Sequence, residues 1–304
     1  MTSVDLVAIG EPLVEFNQAK GTDSYLRGHG GDTSNAAIAA ARQGARVGYF
    51  TALGADPFGE SFMQLWAREG VDASAVIRTD QAPTAIYFVT HTERGHEFTY
   101  FRAGSAASRL GPADVPAAYL SRAKIVHASG ISLAISASAC DLVFAAFAHA
   151  RASGAKVSFD TNLRLKLWPL DRARAVMHAI AAQADYLFPS IDEAAQLTGL
   201  DDADAVVDFY LRLGAKAVAL KLGPAGALVA TADARHRVAG LKVDAVDATG
   251  AGDTFVGSFL ARVLAGDGLA DAARYANAAA ALSTTGYGAV APIPRVDQVR
   301  AVLR

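Results

Sequence analysis

The chain has 304 residues, of which 52% are hydrophobic, and it can therefore bury a large core as one α/β domain or as one domain with a small appendage. Its formal net charge is -2 and its acidic and basic residues are interspersed, so it lacks an electrostatic footprint for nucleic acid or an anionic membrane. A small molecule is the expected partner.

The cysteines and histidines of the sequence limit which disulfides and metal sites the chain can form. Cys140 is the only cysteine, which excludes an intrachain disulfide and a zinc site made of thiolates. The histidines show no metal-ligand spacing, and we interpret them as structural or surface residues. The sequence has no apolar run of about 18 residues and no signal-peptide pattern at its start, so we expect a cytoplasmic protein.

Strands and helices alternate along most of the chain. Short apolar runs predict strands at residues 4–9, 46–53, 124–128, 156–159, 186–188, 217–221, 226–230 and 236–243. Helices are predicted at residues 36–42, 57–69, 136–153, 171–183, 191–198, 204–213, 255–264 and 271–283. Repeated β-then-α units predict a parallel sheet with helices on both faces and ligand at the carboxyl ends of its strands.

Two segments depart from this alternation. Residues 11–27 are polar and irregular. In residues 84–102, two aromatic-rich runs at 84–89 and 97–102 flank a polar connection that contains a glycine. The second pattern predicts a β-hairpin, which would form an antiparallel flap beside the parallel sheet.

Residues 246–257 contain a glycine-broken turn that leads directly into an apolar helix. Gly250 and Gly252 lie at the mouth of this helix, where the first N–H groups lack intrahelical partners and the helix dipole is positive. This place suits a phosphate oxyanion, and Asp253 suits a base for an attacking hydroxyl. Alternatively, Asp253 is an ordinary acid at a helix N-terminus and the glycines are turn residues, and this stretch alone leaves both interpretations open.

Polar residues also follow several predicted strands. They occupy residues 160–164, 189–193 and 221–226, and the motif at 246–257 comes after them. In a parallel sheet these segments emerge at the same edge, so we expect them to lie close together. Their convergence favours the functional interpretation of Asp253.

Two motifs make a family resemblance visible. Residues 30–35, followed by an alanine-rich helix and Gly44, resemble the N-terminal signature of the ribokinase-like (PfkB) family of sugar kinases. Residues 247–257 resemble its C-terminal signature, so the likeness covers essentially the whole chain. Within the family, the chain is most similar to 2-keto-3-deoxygluconate kinases. The stretches that carry this likeness are residues 10–14, 100–106, 162–164 and 167–168.

The resemblance implies one ribokinase-like kinase domain over residues 1–304. This is an α/β fold whose mostly parallel central sheet has helices on both faces, with a small β-strand lid at about residues 11–31 and 84–105. It also implies ATP as the donor, Mg²⁺, and a primary hydroxyl as the acceptor. Activation by a monovalent cation such as K⁺ stays open.

The resemblance further assigns roles to individual residues. Asp253 is the catalytic base, Gly250, Ala251 and Gly252 form the anion hole, and Glu193 helps to hold Mg²⁺ through water. The residues implied to contact ATP are Asn162, Ser190, Lys221, Gly223, Gly226, Gly250, Gly252 and Asn277. Those implied to contact the substrate are Gly31, Asn35, Tyr87, Tyr100, Arg102, Arg164 and Asp253. Ser190 stands where many members have asparagine.

A sugar-acid substrate carries a carboxylate, which a guanidinium binds in a planar, two-pronged geometry. Arg102 and Arg164 match residues that line the substrate site in this subfamily, and Tyr87 and Tyr100 suit hydrogen bonds to hydroxyls. Without the family, flap packing for the tyrosines and a solvated Arg102 are the alternative interpretations. The expected reaction phosphorylates the 6-hydroxyl of 2-keto-3-deoxygluconate, and a fructokinase or ribokinase of the same family is the alternative.

Other classes are less compatible with the sequence. A nucleotide-dependent dehydrogenase would need Gly-x-Gly-x-x-Gly after the first strand, which is missing. The sequence also lacks the P-loop motif Gly-x-x-x-x-Gly-Lys-Ser/Thr. This excludes a phosphotransferase that binds phosphate with a P-loop, but not phosphoryl transfer by another kind of site. A sugar-acid sensor that lost catalysis is disfavoured by the intact Asp253. Because the strand edges and apolar residues of the lid need covering, we expect a homo-oligomer that assembles through the lid.

Overall fold

The computed structural model describes residues 4–19, 21–92 and 95–303. Its strands are β1 (Leu6–Ile9), β2 (Leu13–Gln18), β3 (Tyr25–Gly30), β4 (Val47–Phe50), β5 (Ala52–Gly54), β6 (Ile77–Thr79), β7 (Ala85–Thr92), β8 (Gly95–Phe101), β9 (Ile125–Ser129), β10 (Lys156–Asp160), β11 (Tyr186–Phe188), β12 (Ala217–Lys221), β13 (Gly226–Ala230) and β14 (Arg235–Ala239). Its helices are α1 (Asp32–Arg42), α2 (Pro57–Glu69), α3 (Ala117–Leu120), α4 (Gly130–Ala134), α5 (Ala137–Ala152), α6 (Leu170–Ala181), α7 (Ile191–Thr198), α8 (Ala203–Leu213), α9 (Ala251–Leu264), α10 (Leu269–Ser283) and α11 (Val296–Leu303).

A large sheet organises the molecule. Within the described residues its order is β14-β13-β12-β11-β10-β9-β1-β4. The run from β12 to β4 is parallel, and β13 and β14 continue it as antiparallel strands. The carboxyl ends of β10, β11 and β12 therefore meet at one edge, as the sequence predicts.

Both faces of this sheet are covered by helices, which explains the near-continuous apolar strands. On β1, Leu6 belongs to a buried cluster that includes Ile38 of α1 and Phe259 of α9. The next residue, Val7, belongs to a second buried cluster that includes Phe147 of α5. Because successive strand side chains point to opposite faces, the two clusters are the cores of the two helix layers.

A second, smaller sheet has the order β3-β2-β7-β8. The hairpin predicted at residues 84–102 is confirmed as β7 and β8, paired in antiparallel fashion. Residues 11–27, which look irregular in the sequence, instead form β2 and part of β3. Polar residues hide the alternation of β2 because one of them, Glu15, is buried and accepts a hydrogen bond from Tyr87.

Several other elements differ from expectation. The run at residues 46–53 is split, because β4 ends at Phe50 while β5 pairs with β6 in a separate two-stranded sheet. Both pieces are buried, so the apolar pattern does not reveal the break. The last strand of the large sheet ends at residue 239 instead of 243, and α3, α4 and α11 have no counterpart among the predicted helices.

The predicted fold class, a mostly parallel sheet with helices on both faces and a small β-sheet, is confirmed by these elements. Cys140 is a free, buried thiol. In the part of the chain that the structure describes, no helix combines the length and the apolar character needed to cross a bilayer.

Candidate active site

The turn before α9 is fixed by one carboxylate. Asp247 Oδ1 accepts hydrogen bonds from Thr249 N at 2.9 Å and Thr249 Oγ1 at 2.6 Å, and Asp247 Oδ2 accepts from Gly288 N at 2.9 Å. Gly250 then adopts φ 75°, a left-handed conformation that favours glycine, directly before the first residue of α9. The start of the helix is thereby held in one orientation.

Two backbone donors are open at this helix start. The N–H of Ala251 donates to the carbonyl of Ala248 at 3.2 Å, so this member of the expected anion hole is already used within the turn. Among the described residues, no backbone acceptor is paired with the N–H groups of Gly252 and Asp253. These two amides at the positive end of α9 form a ready place for a phosphate oxyanion.

Asp253 is held by α1. Its Oδ2 accepts a hydrogen bond of 2.8 Å from Asn35 Nδ2. The two helices touch through backbone, since a Cβ on Gly257 of α9 would lie 2.1 Å from the carbonyl oxygen of Ala36. Burial, and next the charge of Asp32, raise the pKa of Asp253 to about 7, against the opposing effect of the Asn35 hydrogen bond. A carboxylate with this pKa suits proton acceptance near neutral pH.

Asp32, at the start of α1, is a site residue that the sequence analysis did not single out. It is 8% exposed, and its Oδ2 accepts a hydrogen bond of 2.8 Å from Asn162 Nδ2. Asn162 follows β10 and adopts φ 30°, a left-handed value that is uncommon for a residue other than glycine. An acid in the first turn of a helix is usually explained by the helix dipole, which is why its pattern did not reveal this role.

A buried ion pair joins the ends of β10 and β12. Lys221 Nζ donates to both carboxylate oxygens of Asp160, at 2.8 and 2.9 Å. Burial raises the pKa of Asp160 to about 6 although Lys221 opposes the shift. Burial alone would lower the pKa of Lys221, but Asp160 and Glu193 raise it. A Cβ on Gly252 would lie 3.5 Å from Lys221 Nζ, so this cation lies beside the open amides.

Glu193, in the first turn of α7, is the predicted metal-holding residue. Thr161 Oγ1 donates to its Oε2 at 2.7 Å, and Arg164 Nη1 lies 3.6 Å from its Oε1. Within the described residues, no group of three or more histidine, cysteine, aspartate or glutamate side chains is arranged to hold a metal ion. A Mg²⁺ ion bound together with a nucleotide needs only one or two protein carboxylates, because water and phosphate oxygens complete its shell.

Arg102 is tied to an acid to which the sequence analysis gave no role. Its Nη2 is ion-paired with Glu11 Oε2, and Ser105 Oγ donates to Glu11 Oε1. Among the described residues, Arg102 Nε has no hydrogen-bond partner. Burial raises the pKa of Glu11, against the opposing charge of Arg102. The sequence clue to Glu11 was its place shortly after β1 within residues 10–14, one of the stretches that resemble 2-keto-3-deoxygluconate kinases.

The two predicted tyrosines lie next to each other with different exposure. Their rings stack at 5.5 Å between centroids, and Arg102 Cζ lies 5.8 Å from the Tyr100 ring centroid. Tyr87 is buried and donates its hydroxyl proton to Glu15, whereas Tyr100 is 43% exposed. The Arg164 side chain is 51% exposed. Tyr100 and Arg164 therefore form the more accessible part of the group, whereas the Arg102 side chain is only 14% exposed.

Gly31 and Gly226 are required by the fold itself. Gly31 has φ 108° and its Cβ would lie 2.7 Å from the Glu11 carbonyl oxygen. A Cβ on Gly226 would lie 2.1 Å from the Val238 carbonyl oxygen, so β14 accounts for this glycine without a ligand.

The remaining predicted nucleotide residues are more dispersed. Asn277 Nδ2 donates to the carbonyl of Val238 at 3.3 Å, so its amide also serves the edge strand β14. Gly223 is exposed, with nothing near its Cβ position. Ser190 precedes α7, makes no side-chain cap hydrogen bond to it, and forms a bridge with Lys221. Of these residues, Ser190 lies directly beside the ion pair of Lys221.

Known proteins resemble this chain over nearly its whole length. The model of the pfkB family carbohydrate kinases matches residues 2–296. The 2-dehydro-3-deoxygluconokinase of Bacillus subtilis (strain 168) is 35% identical and covers 99% of this chain and 95% of that protein. The enzyme of the same name from Thermoproteus tenax is 36% identical and covers 96% and 92%. Fructokinase-2 of Zea mays is 34% identical and covers 96% and 91%.

Solved structures share the fold. The PfkB protein from Polaromonas sp. JS666 has a TM-score of 0.89 at 31% identity and covers 98% of this chain and 100% of that chain. A putative ribokinase II from E. coli, in complex with ATP and Mg²⁺, has a TM-score of 0.90 at 27% identity and covers 99% of both chains. The predicted ribokinase-like architecture is thereby confirmed. The chain belongs to the pfkB family of carbohydrate kinases and is a phosphotransferase with an alcohol group as acceptor.

Proposed function

We propose that this kinase transfers the γ-phosphoryl group of ATP to the 6-hydroxyl of 2-keto-3-deoxygluconate, also named 2-dehydro-3-deoxygluconate. The observation that carries the kinase chemistry is the contact between Asn35 and Asp253 beside two open amides. The observation that supports a sugar acid is the pair of arginines, Arg102 and Arg164, near Tyr100. Relatives named 2-dehydro-3-deoxygluconokinase support the same substrate.

In the proposed mechanism, Asp253 accepts the proton of the 6-hydroxyl as that oxygen attacks the γ-phosphorus. Asn35 holds the carboxylate so that one oxygen faces the hydroxyl, and its raised pKa makes it a useful base. General-base help of this kind contributes a rate factor of about 10² to 10⁴. The N–H groups of Gly252 and Asp253 stabilise negative charge on the phosphoryl oxygens, and Lys221 adds a positive charge nearby.

Nucleotide and metal fit the residues at the carboxyl ends of β10 to β12. The Cβ position of Gly252 has Lys221 Nζ at 3.5 Å as its nearest neighbour from another element, so this glycine leaves room beside the ammonium group. Glu193 would hold Mg²⁺ through water. When bound, Mg²⁺ neutralises charge on the β- and γ-phosphoryl oxygens. Asp160 keeps Lys221 in place at this edge, because both carboxylate oxygens accept from its ammonium group.

The carboxylate of the sugar acid would bind Arg102 and Arg164. Arg102 has a free Nε donor in a buried setting, where a charge-assisted hydrogen bond is strong. Arg164 would approach the carboxylate from the solvent side, where half of its side chain is exposed. Tyr100, stacked between Tyr87 and the guanidinium of Arg102, supplies a hydroxyl for the sugar.

One observation favours a neutral sugar as the second candidate. Glu11 already balances the charge of Arg102, which weakens the attraction of the site for another carboxylate. Fructokinase-2 of Zea mays is nearly as similar in sequence as the sugar-acid kinases. A fructokinase or ribokinase activity is therefore the competing proposal.

The experiment that separates the two is an acceptor panel. Purified protein is mixed with ATP and Mg²⁺, with and without K⁺, and with 2-keto-3-deoxygluconate, 2-keto-3-deoxygalactonate, fructose or ribose. Phosphorylated product is identified by mass spectrometry. Turnover that is highest with a 2-keto-3-deoxy sugar acid supports the proposal, whereas preference for fructose or ribose replaces it with the second candidate.

We also propose that two or more copies assemble through the small sheet, which would then act as a lid. Its residues include exposed apolar side chains, among them Leu26 at 68% and Phe101 at 59%. Light scattering coupled to size-exclusion chromatography tests the assembly. A strict monomer at all concentrations contradicts it, as does an oligomer whose size is unchanged by Leu26→Glu together with Phe101→Glu.

A further inference from the structure

Arg42, in the last turn of α1, is a buried cation outside the group of residues described above. Its side chain is 10% exposed. Its Nε and Nη2 donate to the two carboxylate oxygens of Glu69, at 2.9 and 2.7 Å. Burying a guanidinium is costly unless its charge and its donors are satisfied. Glu69 balances the charge and accepts from two of the three guanidinium nitrogens, so the third nitrogen can donate to other acceptors.

That nitrogen, Nη1, donates hydrogen bonds to carbonyl oxygens of a single segment. It donates to the carbonyls of Val290 at 3.0 Å, Ile293 at 2.5 Å and, at a longer distance, Ala291 at 3.4 Å. These carbonyls belong to residues 284–295, the irregular connection between α10 and α11, which we name the C-terminal loop. Among the described residues, the backbone N–H that reaches one of these carbonyls is that of Ile293, which donates to Val290 O at 3.3 Å, so Arg42 supplies most of the donors that they need.

The neighbouring residue of α1 adds a second attachment. Gln43 Nε2 donates to the carbonyl of Pro294 at 2.7 Å, and Tyr275 of α10 donates its hydroxyl proton to Gln43 Oε1 at 2.8 Å. The end of α1 therefore binds the C-terminal loop along several consecutive residues. A loop held in this way has one conformation instead of many.

The C-terminal loop in turn supports the turn before α9. Gly288 N donates to Asp247 Oδ2 at 2.9 Å, and the carbonyl of Thr284 accepts from Asp247 N at 3.0 Å. A Cβ on Gly250 would lie 3.0 Å from the carbonyl oxygen of Ala289, so the loop packs directly against the turn. Movement of the loop would move the turn.

We propose that Arg42 is a positioning residue for phosphoryl transfer, because through the C-terminal loop it fixes the turn that aims the N–H groups of Gly252 and Asp253. Misplacement of a reacting group by about 1 Å can cost a rate factor of about 10². α1 thus acts on the site from both ends: Asn35 near its start holds the base, and Arg42 at its end holds the anion-binding turn. The proposal rests on the phosphotransferase activity and not on the identity of the sugar.

Arg46 provides a matched control four residues further along the chain. It also pairs with a carboxylate in a two-pronged geometry, with Nε and Nη2 at 2.7 and 2.8 Å from Asp5. Its side chain is 58% exposed, and none of its hydrogen bonds among the described residues reaches the C-terminal loop. Arg46→Ala therefore removes a similar ion pair without releasing the loop.

The test compares wild type, Arg42→Ala, Arg42→Lys and Arg46→Ala in two assays. The first measures affinity for a non-hydrolysable ATP analogue with Mg²⁺ by calorimetry, which needs no sugar. The second measures kcat and KM with the best acceptor of the panel. For Arg42→Ala we expect nucleotide affinity and kcat to fall by about tenfold or more, with acceptor KM within about twofold of wild type. Arg46→Ala should match wild type in both assays.

Chemical rescue separates positioning from simple loss of stability. In Arg42→Ala the vacated space opens to a cavity of about 410 Å³ lined in part by Thr285, Gly286 and Pro292, which a free guanidinium ion can enter. Millimolar guanidinium should raise the kcat of Arg42→Ala and leave Arg46→Ala unchanged. If Arg42→Ala does not fold, the proposal is tested with Arg42→Lys. This variant keeps the positive charge but lacks the planar guanidinium group with its several N–H donors.

The proposal is overturned if folded Arg42→Ala or Arg42→Lys binds the nucleotide analogue and turns over like wild type. It is equally overturned if kcat and acceptor KM change together and guanidinium has no effect. A wild-type enzyme that phosphorylates fructose but no sugar acid would remove the proposed substrate while leaving this test intact, because nucleotide affinity is measured without any acceptor.

Discussion

Asn35 Nδ2 donates a 2.8 Å hydrogen bond to Asp253 Oδ2, joining two helices whose contact residues are 218 positions apart in the chain. The bond fixes the orientation of the carboxylate and favours its charged form, while burial and the charge of Asp32 disfavour that form. The balance of these effects gives a carboxylate that changes its protonation state near neutral pH. Residues at the start of α1 thus set both the orientation and the pKa of the Asp253 carboxylate.

The first prediction concerns pH. In the proposed mechanism the charged form of Asp253 is the base, and its pKa is raised to about 7, so kcat/KM should fall as the pH drops below about 7. Asp32→Asn removes the charge that raises this pKa, so the acidic limb should move to lower pH. Asn35→Ala removes the hydrogen bond that lowers it, so the limb should move to higher pH.

The measurement is kcat/KM against pH for wild type and both variants with the same nucleotide. Titration of ATP itself then affects all three profiles equally and cancels in the comparison. In Asp32→Asn, Asn162 can turn its amide to keep a hydrogen bond, so the site should stay assembled. Shifts in the same direction for both variants would argue against Asp253 as the titrating group.

The second prediction concerns the acceptor carboxylate. Arg102→Ala alone would leave Glu11 buried and unpaired, so it is best made in a Glu11→Gln background. Adding Arg102→Ala to that background should raise KM for 2-keto-3-deoxygluconate by about tenfold to a hundredfold, the scale of a charge-assisted hydrogen bond. The KM for fructose, if it is turned over, should hardly change.

Glu11→Gln alone should change KM for the sugar acid in the opposite direction. It frees the charge of Arg102, so KM for the sugar acid should fall relative to wild type. Steady-state kinetics on both acceptors, with thermal melting as a check on folding, measure these effects. Equal changes for sugar acid and neutral sugar would show that Arg102 does not recognise a carboxylate.

The third prediction compares two glycines of α9. A Cβ on Gly252 would lie 3.5 Å from Lys221 Nζ, an ordinary contact, whereas one on Gly257 would lie 2.1 Å from the Ala36 carbonyl oxygen. Gly257→Ala should therefore force α1 and α9 apart and cost about 1–3 kcal/mol in the free energy of unfolding. Gly252→Ala should keep the melting temperature but lose activity, because its methyl group occupies the space beside the open amides.

Thermal melting and ATP turnover on the same preparations measure this contrast. Gly257→Ala should melt several degrees lower than wild type, while Gly252→Ala should melt at or slightly above the wild-type temperature with KM for ATP raised about tenfold or more. Full activity in Gly252→Ala would contradict the assignment of that amide to phosphate binding.

Much of this fold follows from local pattern. The apolar strands, the helices between them and the aromatic hairpin are visible in the sequence because both faces of the large sheet are buried and the hairpin alternates with a polar connection. The strand β2 is not visible, because Glu15 is buried and polar at a position where burial normally selects an apolar residue. Its partner Tyr87 is distant in sequence, and no local rule connects them.

The candidate site likewise contains some residues that local motifs indicate and others whose roles depend on partners distant in sequence. Asp253, the glycines and the strand-end residues were found because they stand in motifs at helix mouths and strand ends. Glu11 was missed because its role comes from pairing with Arg102, which follows β8 and is distant in sequence, and Arg42 because its value lies in contacts with a loop about 250 residues away. Ala251 was placed in the anion hole by its motif, whereas the turn uses its N–H internally.

The most direct test of the central claim is the turnover of Asp253→Asn, which keeps the shape of the side chain and removes its basicity. Phosphorylated product from ATP and 2-keto-3-deoxygluconate should form more slowly by a factor of about 10² to 10⁴, while affinity for the nucleotide stays close to that of wild type. Turnover near the wild-type rate in this variant would contradict the proposal that Asp253 accepts the proton of the attacking hydroxyl.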